Sequence, residues 1–404
     1  MKIIVLAGGS DQIALIEELK NRGHETILVD YLNNPPARQY ADKHYVESTL
    51  DVMAVKQISL RECADMVCTA CTDQALLTAA KISEELNLPF YIGYETALIV
   101  TNKLHMKAVM VENGIPTARH AIISTLGELH KADGFAYPLV VKPVDCNSSK
   151  GVTRVETANE LENAVINALH YSRTKNVVIE EFKQGRELSA DYYIADGQAH
   201  LLCATESRKI RNRKSFTIVQ SCYSPLPSQK IEELTVIGQK IASLLGITDA
   251  PLLVQMIDGA DGLSVIEFSA RMGGGSKYNL IEILSGVNIM KTYVDLLLGE
   301  KPHVDVHLFH GEARMNYVYC SPGVLGHVDG LDILERTGKV QKWFMYKTPG
   351  AEITKSDTSG DRVAGYLVCA HTRQEVESLQ MEIDASIKVI DQHTGEDIML
   401  HGLI

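Results

Sequence analysis

The chain lacks the basic charge excess and the long apolar runs that mark several classes of protein. Its 404 residues carry a formal net charge of −12, whereas sequence-independent binding of nucleic acid depends on clustered Lys and Arg. No apolar run approaches the roughly 20 residues that span a bilayer. The five apolar residues before Gly8 are too few for a signal-peptide core. We therefore expect a cytoplasmic protein with neither a nucleic-acid nor a membrane partner.

Cysteine is present, but without the spacing of a disulfide framework. Eight cysteines are scattered along the chain, unlike the dense pattern of small secreted domains. Cys68 and Cys71 form a CxxC pair, which can indicate zinc or redox chemistry, but neither a second pair nor paired histidines accompany it. We interpret both as buried structural thiols in a reducing compartment.

The remaining composition is that of an ordinary globular protein. Apolar residues make up 45% and charged residues 22% of the chain. A domain usually takes about 100–200 residues, and the patterns favour three domains that pack closely, at 1–97, 98–302 and 303–404. Helices are predicted at 101–114, 157–172, 277–298 and 373–390.

The first part of the chain alternates short apolar strands with amphipathic helices. This alternation indicates an α/β unit with a parallel sheet and crossover helices. The loop at 7–10 and the later Asp30 suggest a dinucleotide site, but the GxGxxG fingerprint needs a third glycine. We therefore favour a tight strand-to-helix turn and keep an NAD-dependent enzyme as a weaker alternative. The predicted elements here are 2–7, 11–23, 24–30, 65–71 and 73–86.

Lys142 closes the apolar segment 137–143, and the small polar residues 145–151 follow it. One fixed cation beside backbone N–H groups suits the oxygens of a phosphate. The sequence is not a Walker A loop, which needs GxxxxGK followed by Ser or Thr. A solvated lysine in a surface hairpin explains the same pattern, and the local residues do not decide between the two.

A second apolar strand, 176–182, leads to Glu187. Strand backbone groups can bind the edge of an adenine, and a carboxylate can accept hydrogen bonds from ribose hydroxyls. An exposed acidic strand end is the more common explanation of such a segment.

Residues 251–271 predict a β-hairpin with its turn at 259–262. Side chains two apart on a strand share one face, so several polar side chains should meet in one cleft. A carboxylate with neutral oxygens suits Mg²⁺, and Arg271 could stabilise a transferring phosphoryl group. A solvated Glu–Arg pair is the alternative, although 264–270 is too apolar for an exposed strand. The polar residues concerned are Gln255, Glu267, Ser269 and Arg271.

In this order the segments resemble the ATP-grasp superfamily over nearly the whole chain. The motifs are Asn102-Lys103 before a helix leading to GIPT at 114–117, the strand ending in Lys142, and the E-x-S-x-R sequence from Glu267 to Arg271. The resemblance implies an α/β fold with three parts at the boundaries given above. These are a Rossmann-like preATP-grasp domain, a two-part ATP-grasp α+β domain and a small α+β C-terminal domain.

The resemblance also implies site residues. ATP-binding residues would be Lys103, Lys142, Ser148, Ser149, Lys150, Gly151, Glu180, Glu181, Phe182, Lys183 and Glu187. Ligands of Mg²⁺ or Mn²⁺ would be Gln255, Glu267 and Ser269, with Arg271 as the catalytic cation. The superfamily usually has a carboxylate at the first of these metal positions and an asparagine at the third. Only Glu267 is then an ionised ligand here.

The activity that the resemblance implies is ligation of a small-molecule carboxylate to an amine. ATP would convert the carboxylate into an acyl phosphate, and the amine would displace phosphate. The glycines after Arg271 and the C-terminal part look like the branch that holds L-amino-acid ligases. Relatives of similar layout are phosphoribosylamine–glycine ligase, purine-pathway carboxylases and carbamoyl phosphate synthetase.

Substrate contacts are expected at the basic segment 208–214 and at the glycine run, although a solvated loop explains the basic segment equally well. The predicted substrate residues are Arg208, Arg211, Gly273, Gly274 and Gly275. A purine-pathway ligase and a weakly active ATP-binding protein remain alternative functions. A homodimer is common among the relatives and is expected by analogy.

Overall fold

Strands and helices follow one another along most of the chain. The structure is a computed structural model that describes residues 1–210 and 216–403. Its α-helices are Asp11–Asn21 (α1), Val52–Glu62 (α2), Asp73–Leu86 (α3), Tyr94–Thr101 (α4), Lys103–Glu112 (α5), Ala158–Tyr171 (α6), Ser228–Leu244 (α7), Lys277–Ser285 (α8), Ile289–Leu297 (α9), Leu331–Arg336 (α10) and Arg373–Ser386 (α11). Within the described residues, none of these helices has the length and apolar character needed to cross a membrane.

The strands are Lys2–Leu6 (β1), Glu25–Asp30 (β2), Lys43–Val46 (β3), Met66–Cys68 (β4), His120–Ile123 (β5), Leu139–Pro143 (β6), Thr153–Val155 (β7), Val177–Glu181 (β8), Arg186–Ala195 (β9), Gln198–Lys209 (β10), Ile218–Tyr223 (β11), Ala250–Gly259 (β12), Gly262–Ser269 (β13), Glu312–Val318 (β14), Gly323–Asp329 (β15), Lys342–Met345 (β16), Glu352–Ile353 (β17), Ala364–Ala370 (β18) and Lys388–Asp391 (β19).

The N-terminal strands form a parallel sheet, as the alternation of strands and helices predicted. Its order is β3-β2-β1-β4, and every neighbouring pair is parallel. The apolar residues of β1 and β2 are completely buried, as expected where crossover helices cover both faces of a sheet. Gly23 follows α1 with a φ of +79°, the left-handed geometry typical of a glycine after a helix.

Asp30 and the loop at 7–10 have a structural role. The Asp30 carboxylate accepts hydrogen bonds from the backbone N–H groups of Gly8, at 2.7 Å, and Leu32, at 2.8 Å. A side chain at Gly8 would lie 2.5 Å from Pro35. The carboxylate therefore ties the first strand-to-helix turn to the end of β2, which agrees with the turn interpretation.

Two antiparallel sheets follow. The smaller has the order β5-β8-β6-β7, and α6 packs on it through Ala164, Val165 and Ala168. The larger has the order β13-β12-β9-β10-β11-β14-β18-β16. Its first two strands are the predicted hairpin, with the turn at the predicted place. A small sheet of order β17-β15-β19 completes the C-terminal part.

The large sheet continues across the predicted boundary at 302/303. Strand β11 pairs with β14 through residues 220–223, so strands from both sides share one hydrogen-bonded sheet. One apolar core likewise contains Ile3 of β1, Tyr293 of α9 and Met315 of β14. The three parts are thus joined by extensive packing, and the domain division itself remains a prediction.

Two predicted helices were wrong in part. The helix predicted at 277–298 is interrupted after α8 by Gly286, whose φ is +75°. Asn288 then caps α9 by accepting a hydrogen bond from the Lys291 N–H at 2.9 Å. The helix predicted at 373–390 is shorter, because its last residues pair with β15 as part of β19. In both places, contacts that apolar periodicity does not encode end the helix.

All eight cysteines are free thiols. Cys68 is buried in β4, and Cys71 is partly buried with its Sγ 3.4 Å from the carbonyl oxygen of Gly273. Burial raises the pKa of both thiols, which makes them weak nucleophiles and weak metal ligands. These surroundings agree with the structural interpretation of the CxxC pair.

Candidate active site

A cavity of about 1300 Å³ is lined by residues from all three predicted domains. The register of β9, β12 and β13 orders the predicted residues along its wall. The order is Glu187 near the hairpin turn and then the facing pair Gln255 and Glu267, and Arg271 lines the cavity just beyond the strand end. Ser269 lies outside this lining and borders a small adjoining space. Residues that are distant in sequence therefore converge on one cavity.

Lys142 is a buried cation and not a solvated one. It lies on β6 with 4% of its surface exposed and forms an ion pair with Glu180 on β8. The other carboxylate oxygen of Glu180 lies 2.9 Å from Nζ of Lys107. Burial alone would raise the pKa of Glu180, but Lys107 and Lys142 lower it to about 2. Glu180 thus holds both lysines beside the cavity, a role for its carboxylate that the sequence did not predict.

Replacing Glu180 by glutamine will lower the free energy of unfolding by about 3–5 kcal/mol near pH 7, because Lys107 and Lys142 lose their carboxylate. The folded-state pKa of about 2 lies below the unfolded value of about 4.3. The stabilisation is therefore complete above about pH 4.3 and is lost as the pH falls toward 2. Urea unfolding of both proteins across this range measures it, and a difference that does not shrink at low pH would contradict the ionic origin.

Lys103 bridges the hairpin and the loop after β6. Asn102 caps α5 by accepting a hydrogen bond from a first-turn N–H at 3.0 Å, which fixes where Lys103 leaves the helix. Nζ of Lys103 lies 3.0 Å from Oε2 of Glu267 and donates to the carbonyl oxygen of Cys146 at 2.8 Å. Burial alone would raise the pKa of Glu267, but Lys103 and Lys142 lower it. A charged carboxylate thus faces two lysines in the middle of the cavity.

The connection from β8 to β9 forms another wall of the cavity. The predicted adenine and ribose residues on this wall are Glu181, Phe182, Lys183 and Glu187. The Phe182 ring lies against Arg154, with 4.2 Å between the guanidinium carbon and the ring centre. Oε2 of Glu187 lies 2.5 Å from Nζ of Lys209, so Glu187 is not a bare acidic strand end. The roles of these residues toward a nucleoside remain predictions.

The loop at 145–151 bends through left-handed backbone conformations. Ser148, Ser149 and Gly151 have φ values of +56°, +61° and +71°. Ser148 and Ser149 line the cavity, whereas Lys150 and Gly151 lie outside its lining. A side chain at Gly151 would come within 2.8 Å of Tyr171, so the bend requires glycine. The predicted loop residues therefore divide into two that face the cavity and two that do not.

Arg271 and Ser269 both bind Asp73, the first residue of α3. The guanidinium donates from Nε to Oδ1 of Asp73 at 2.7 Å and from Nη2 to Oδ2 at 2.6 Å. The Ser269 hydroxyl donates to the same Oδ1 at 2.6 Å. Burial alone would raise the pKa of Asp73, but Arg271 and the Ser269 hydroxyl lower it. The first domain thus supplies a carboxylate to the end of β13.

The glycine run 273–275 is bound mainly by carboxylates of the protein itself. The Gly273 N–H donates to Oδ1 of Asp191 at 3.2 Å, and the Gly275 N–H donates to Oδ2 of Asp11 at 3.0 Å. The expectation that these two N–H groups bind a substrate carboxylate is therefore not supported. Gly274 and Gly275 line the cavity, and the contact of the run with a substrate remains a prediction.

Arg208 and Arg362 add positive charge to the cavity. Arg208 donates to Oε1 of Gln220 at 3.2 Å. The guanidinium carbon of Arg362 lies 3.5 Å from the ring centre of Tyr317, and its Nε donates to Oη of Tyr319 at 3.3 Å. Lys209 of the same basic segment also lines the cavity, whereas its last three basic residues lie outside the described residues; they are Arg211, Arg213 and Lys214.

Two family models match the chain. Residues 135–279 match the ATP-grasp domain, and residues 316–391 match the L-amino acid ligase C-terminal domain 2. The first match spans Lys142, Glu267 and Arg271. The chain contains an ATP-grasp domain. Relatives to which it is similar include two ligases, described next, and one similar solved structure holds MgADP.

ATP-grasp relatives extend over most of the chain. An L-arginine-specific L-amino acid ligase from Bacillus subtilis is 21% identical over 316 residues, 76% of each chain. A phosphoribosylamine–glycine ligase from Leifsonia xyli is 27% identical over 292 residues, 68% of each chain. The crystal structure of an L-amino acid ligase from Bacillus licheniformis aligns with a TM-score of 0.79 at 23% identity, covering 97% of this chain and 99% of that one. This likeness shows the ATP-grasp fold.

The residues around Glu267 fit an ATP-grasp magnesium site. In the described part of the chain no group of three or more His, Cys, Asp or Glu side chains could hold a metal. A space of about 20 Å³, enough for one water, lies among Asp73, Gln255, Glu267 and Ser269. Mg²⁺ keeps waters and takes much of its shell from substrate phosphates. The Asp73 oxygens already accept hydrogen bonds from Ser269 and Arg271, so Glu267 with the neutral oxygens nearby is the donor set that fits the ion, and the ligands remain predictions.

Sequence reasoning missed several residues of the ATP-grasp cavity, and four of them bear on the geometry of the site. They are Asp11, Asp73, Lys107 and Arg362. Lys107 carried a usable signal, because it lies four positions after Lys103 on α5 and shares its face. The other three reach the cavity through contacts between distant segments, and no local pattern marks them. The homodimer and the cytoplasmic location remain predictions.

Proposed function

We propose that this ATP-grasp ligase joins a small-molecule carboxylate to an amine through an acyl-phosphate intermediate. The observation that carries the proposal is the convergence of Lys103, Lys142, Glu267 and Arg271 on one cavity shared by three domains. Phosphoryl transfer needs charge neutralisation and fixed geometry. The two lysines and the arginine, together with the Glu267 carboxylate, supply both. The L-amino acid ligase C-terminal domain supports amino acids as the substrate class.

The proposed reaction has two steps. A carboxylate oxygen of the first substrate attacks the γ-phosphorus of ATP, the bond to the β-phosphate oxygen breaks, and ADP leaves. The amine nitrogen of the second substrate then attacks the acyl carbon, phosphate leaves with the electron pair of its bond, and the nitrogen loses a proton. Bound Mg²⁺ would neutralise the phosphate oxygens during the first step.

The residues have distinct parts in these steps. Lys103 and Lys142 neutralise the ATP phosphates, and Glu267 with Gln255 holds the metal. Arg271 faces the transferring group and stabilises its developing charge. The loop at 145–151 excludes water, because an acyl phosphate would otherwise hydrolyse.

Arg362 supports a substrate that carries an anionic group. Its guanidinium stacks on Tyr317 and donates from Nε to Oη of Tyr319, and both of these partners are neutral phenols. Because stacking engages only the face of the guanidinium, its two Nη groups can still donate to a carboxylate. We assign this position to the α-carboxylate of an amino acid.

Screening for ADP release against pairs of amino acids will identify a pair that stimulates turnover with Mg-ATP. Because Arg362 would bind an α-carboxylate, amino acids should exceed the corresponding decarboxylated amines by at least about 10-fold in kcat/KM. A coupled assay for ADP measures the rates. Stimulation by phosphoribosylamine and glycine alone would favour the purine-pathway alternative, which the 27% identical ligase and the basic segment at 208–214 support.

Thermal unfolding separates the remaining alternatives. Mg-ATP should raise the melting temperature, since a ligand that binds the folded state stabilises it, and NAD should leave it unchanged. A shift with Mg-ATP but no turnover with any carboxylate–amine pair would mean a binding protein of ATP-grasp fold. A higher melting temperature with NAD would instead indicate a dinucleotide site at the loop at 7–10.

A further inference from the structure

We propose that Asp73 is the positioning residue of Arg271, so that the first domain completes the phosphoryl-transfer site. The inference rests on the proposed function for the role of Arg271. Within that function, Asp73 affects the reaction only through the Arg271 guanidinium. A positioning role differs from a structural ion pair because it predicts a loss of turnover that depends on Arg271.

The contact fixes both the place and the plane of the guanidinium. Nε and Nη2 of Arg271 donate to separate oxygens of Asp73, at 2.7 and 2.6 Å. Nη1 donates to the carbonyl oxygen of Met272 at 2.9 Å. A forked pair of hydrogen bonds allows one orientation, whereas a single point charge allows many. Both side chains line the cavity and keep some exposure, 14% for Arg271 and 12% for Asp73, so the pair belongs to the wall of the site.

The first domain holds the neighbouring backbone independently. Oη of Tyr91 donates to the carbonyl oxygen of Ala270 at 2.8 Å, and Asp11 accepts from the Gly275 N–H at 3.0 Å. The segment from Ala270 to Gly275 is thus anchored at both ends without Asp73. Removing the Asp73 charge therefore changes the orientation of the Arg271 side chain and leaves the course of the chain unchanged.

Ser269 binds the same carboxylate, that of Asp73. Its hydroxyl donates to Oδ1 of Asp73, the oxygen that also accepts from Nε of Arg271. Most of the acceptor capacity of Asp73 is therefore used within this cluster. The serine that stands where the superfamily usually has asparagine is a third donor in the arrangement that orients Arg271.

Replacing Asp73 by asparagine will lower kcat by about 100-fold, the order expected when a catalytic group is misplaced by about 1 Å. The KM for ATP should change little, because Lys103 and Lys142 are untouched. Asp73→Glu, which restores the charge, should recover part of the rate. In an Arg271→Lys background, Asp73→Asn should cause little further loss, since there is no forked guanidinium left to orient.

Asp295→Asn is the matched control. It removes another carboxylate that binds an arginine of the first domain, Arg22, and it lies outside the cavity lining. Its turnover should equal that of the wild type even if both variants lose a similar amount of stability. Equal losses of turnover in Asp73→Asn and Asp295→Asn, or additive effects of Asp73→Asn and Arg271→Lys, would overturn the proposal.

One further measurement does not depend on turnover. The Nε–H of Arg271 should exchange slowly with solvent in the wild type and at least about 10-fold faster in Asp73→Asn, because its hydrogen bond is lost. NMR of the arginine side chains, with Arg271→Lys to assign the signal, reads this out. An unchanged exchange rate of the Arg271 Nε–H in Asp73→Asn would contradict the positioning role. Absence of turnover in the wild type would contradict only the proposed function.

Discussion

Replacing Glu267 by glutamine is expected to reduce ADP release by about 10³-fold while the protein stays folded. Glutamine has the same shape but no charge, and it would face Gln255 directly across β12 and β13. Two amides without a carboxylate bind Mg²⁺ poorly, since the ion favours ionised oxygen ligands. Initial rates measured as a function of Mg²⁺ concentration test this, and the Mg²⁺ requirement of any residual activity should rise.

Glu85→Gln provides the control for this prediction. Glu85 also pairs with a lysine, Lys56 at 2.8 Å, but on the surface of the first domain. Its turnover should match the wild type. The reverse change at the facing position, Gln255→Glu, adds a carboxylate and should lower the Mg²⁺ concentration needed for half-maximal rate. Wild-type rates in Glu267→Gln would mean that the metal site lies elsewhere.

Replacing Lys142 by methionine should lower kcat/KM for ATP by about 10²–10³-fold. Methionine preserves much of the volume of the side chain but removes the cation beside the predicted phosphates. The fold should persist, because Glu180 keeps its second partner, Lys107, at 2.9 Å. Titration calorimetry with Mg-ADP and initial rates with varied ATP separate the loss of binding from the loss of turnover.

Lys230→Met serves as the comparison. Lys230 forms ion pairs with Glu233 at 2.7 Å and Asp258 at 2.9 Å, outside the cavity lining. Its removal should cost some stability and leave nucleotide affinity unchanged. If Lys142→Met instead binds Mg-ADP like the wild type, the phosphates must lie in another part of the cavity.

The sequence-based predictions succeeded where the contacts are local and failed where they join distant segments. Period-two alternation and a turn signal predicted that Gln255 and Glu267 face each other, and the register confirms this pairing. The lysine at the end of β6 was a candidate from local pattern, but the local residues did not decide between a buried cation and a solvated one. Glu180 was placed near the nucleotide through its backbone, but its carboxylate binds Lys107 and Lys142, which only the pairing of β6 with β8 brings about.

Contacts across domain boundaries were beyond the reach of local patterns. Asp73 looked like an ordinary first residue of a helix, and nothing nearby indicates that Arg271 would bind it. The glycine run was expected to contact a substrate, but Asp11 from α1 accepts a hydrogen bond from one of its N–H groups. In each case a side chain from the predicted first domain meets the segment that follows β13, and contacts between distant parts of the chain decide the outcome.

The pairing of β11 with β14 has a consequence for any shortened form of the protein. A chain ending at residue 302 would leave β11 with one row of backbone N–H and C=O groups unsatisfied, in the middle of what is now an eight-stranded sheet. A bare strand edge of this kind recruits strands from other molecules. The C-terminal part therefore protects the nucleotide-binding part from self-association, and aggregation should accompany its loss before any catalytic defect can be measured.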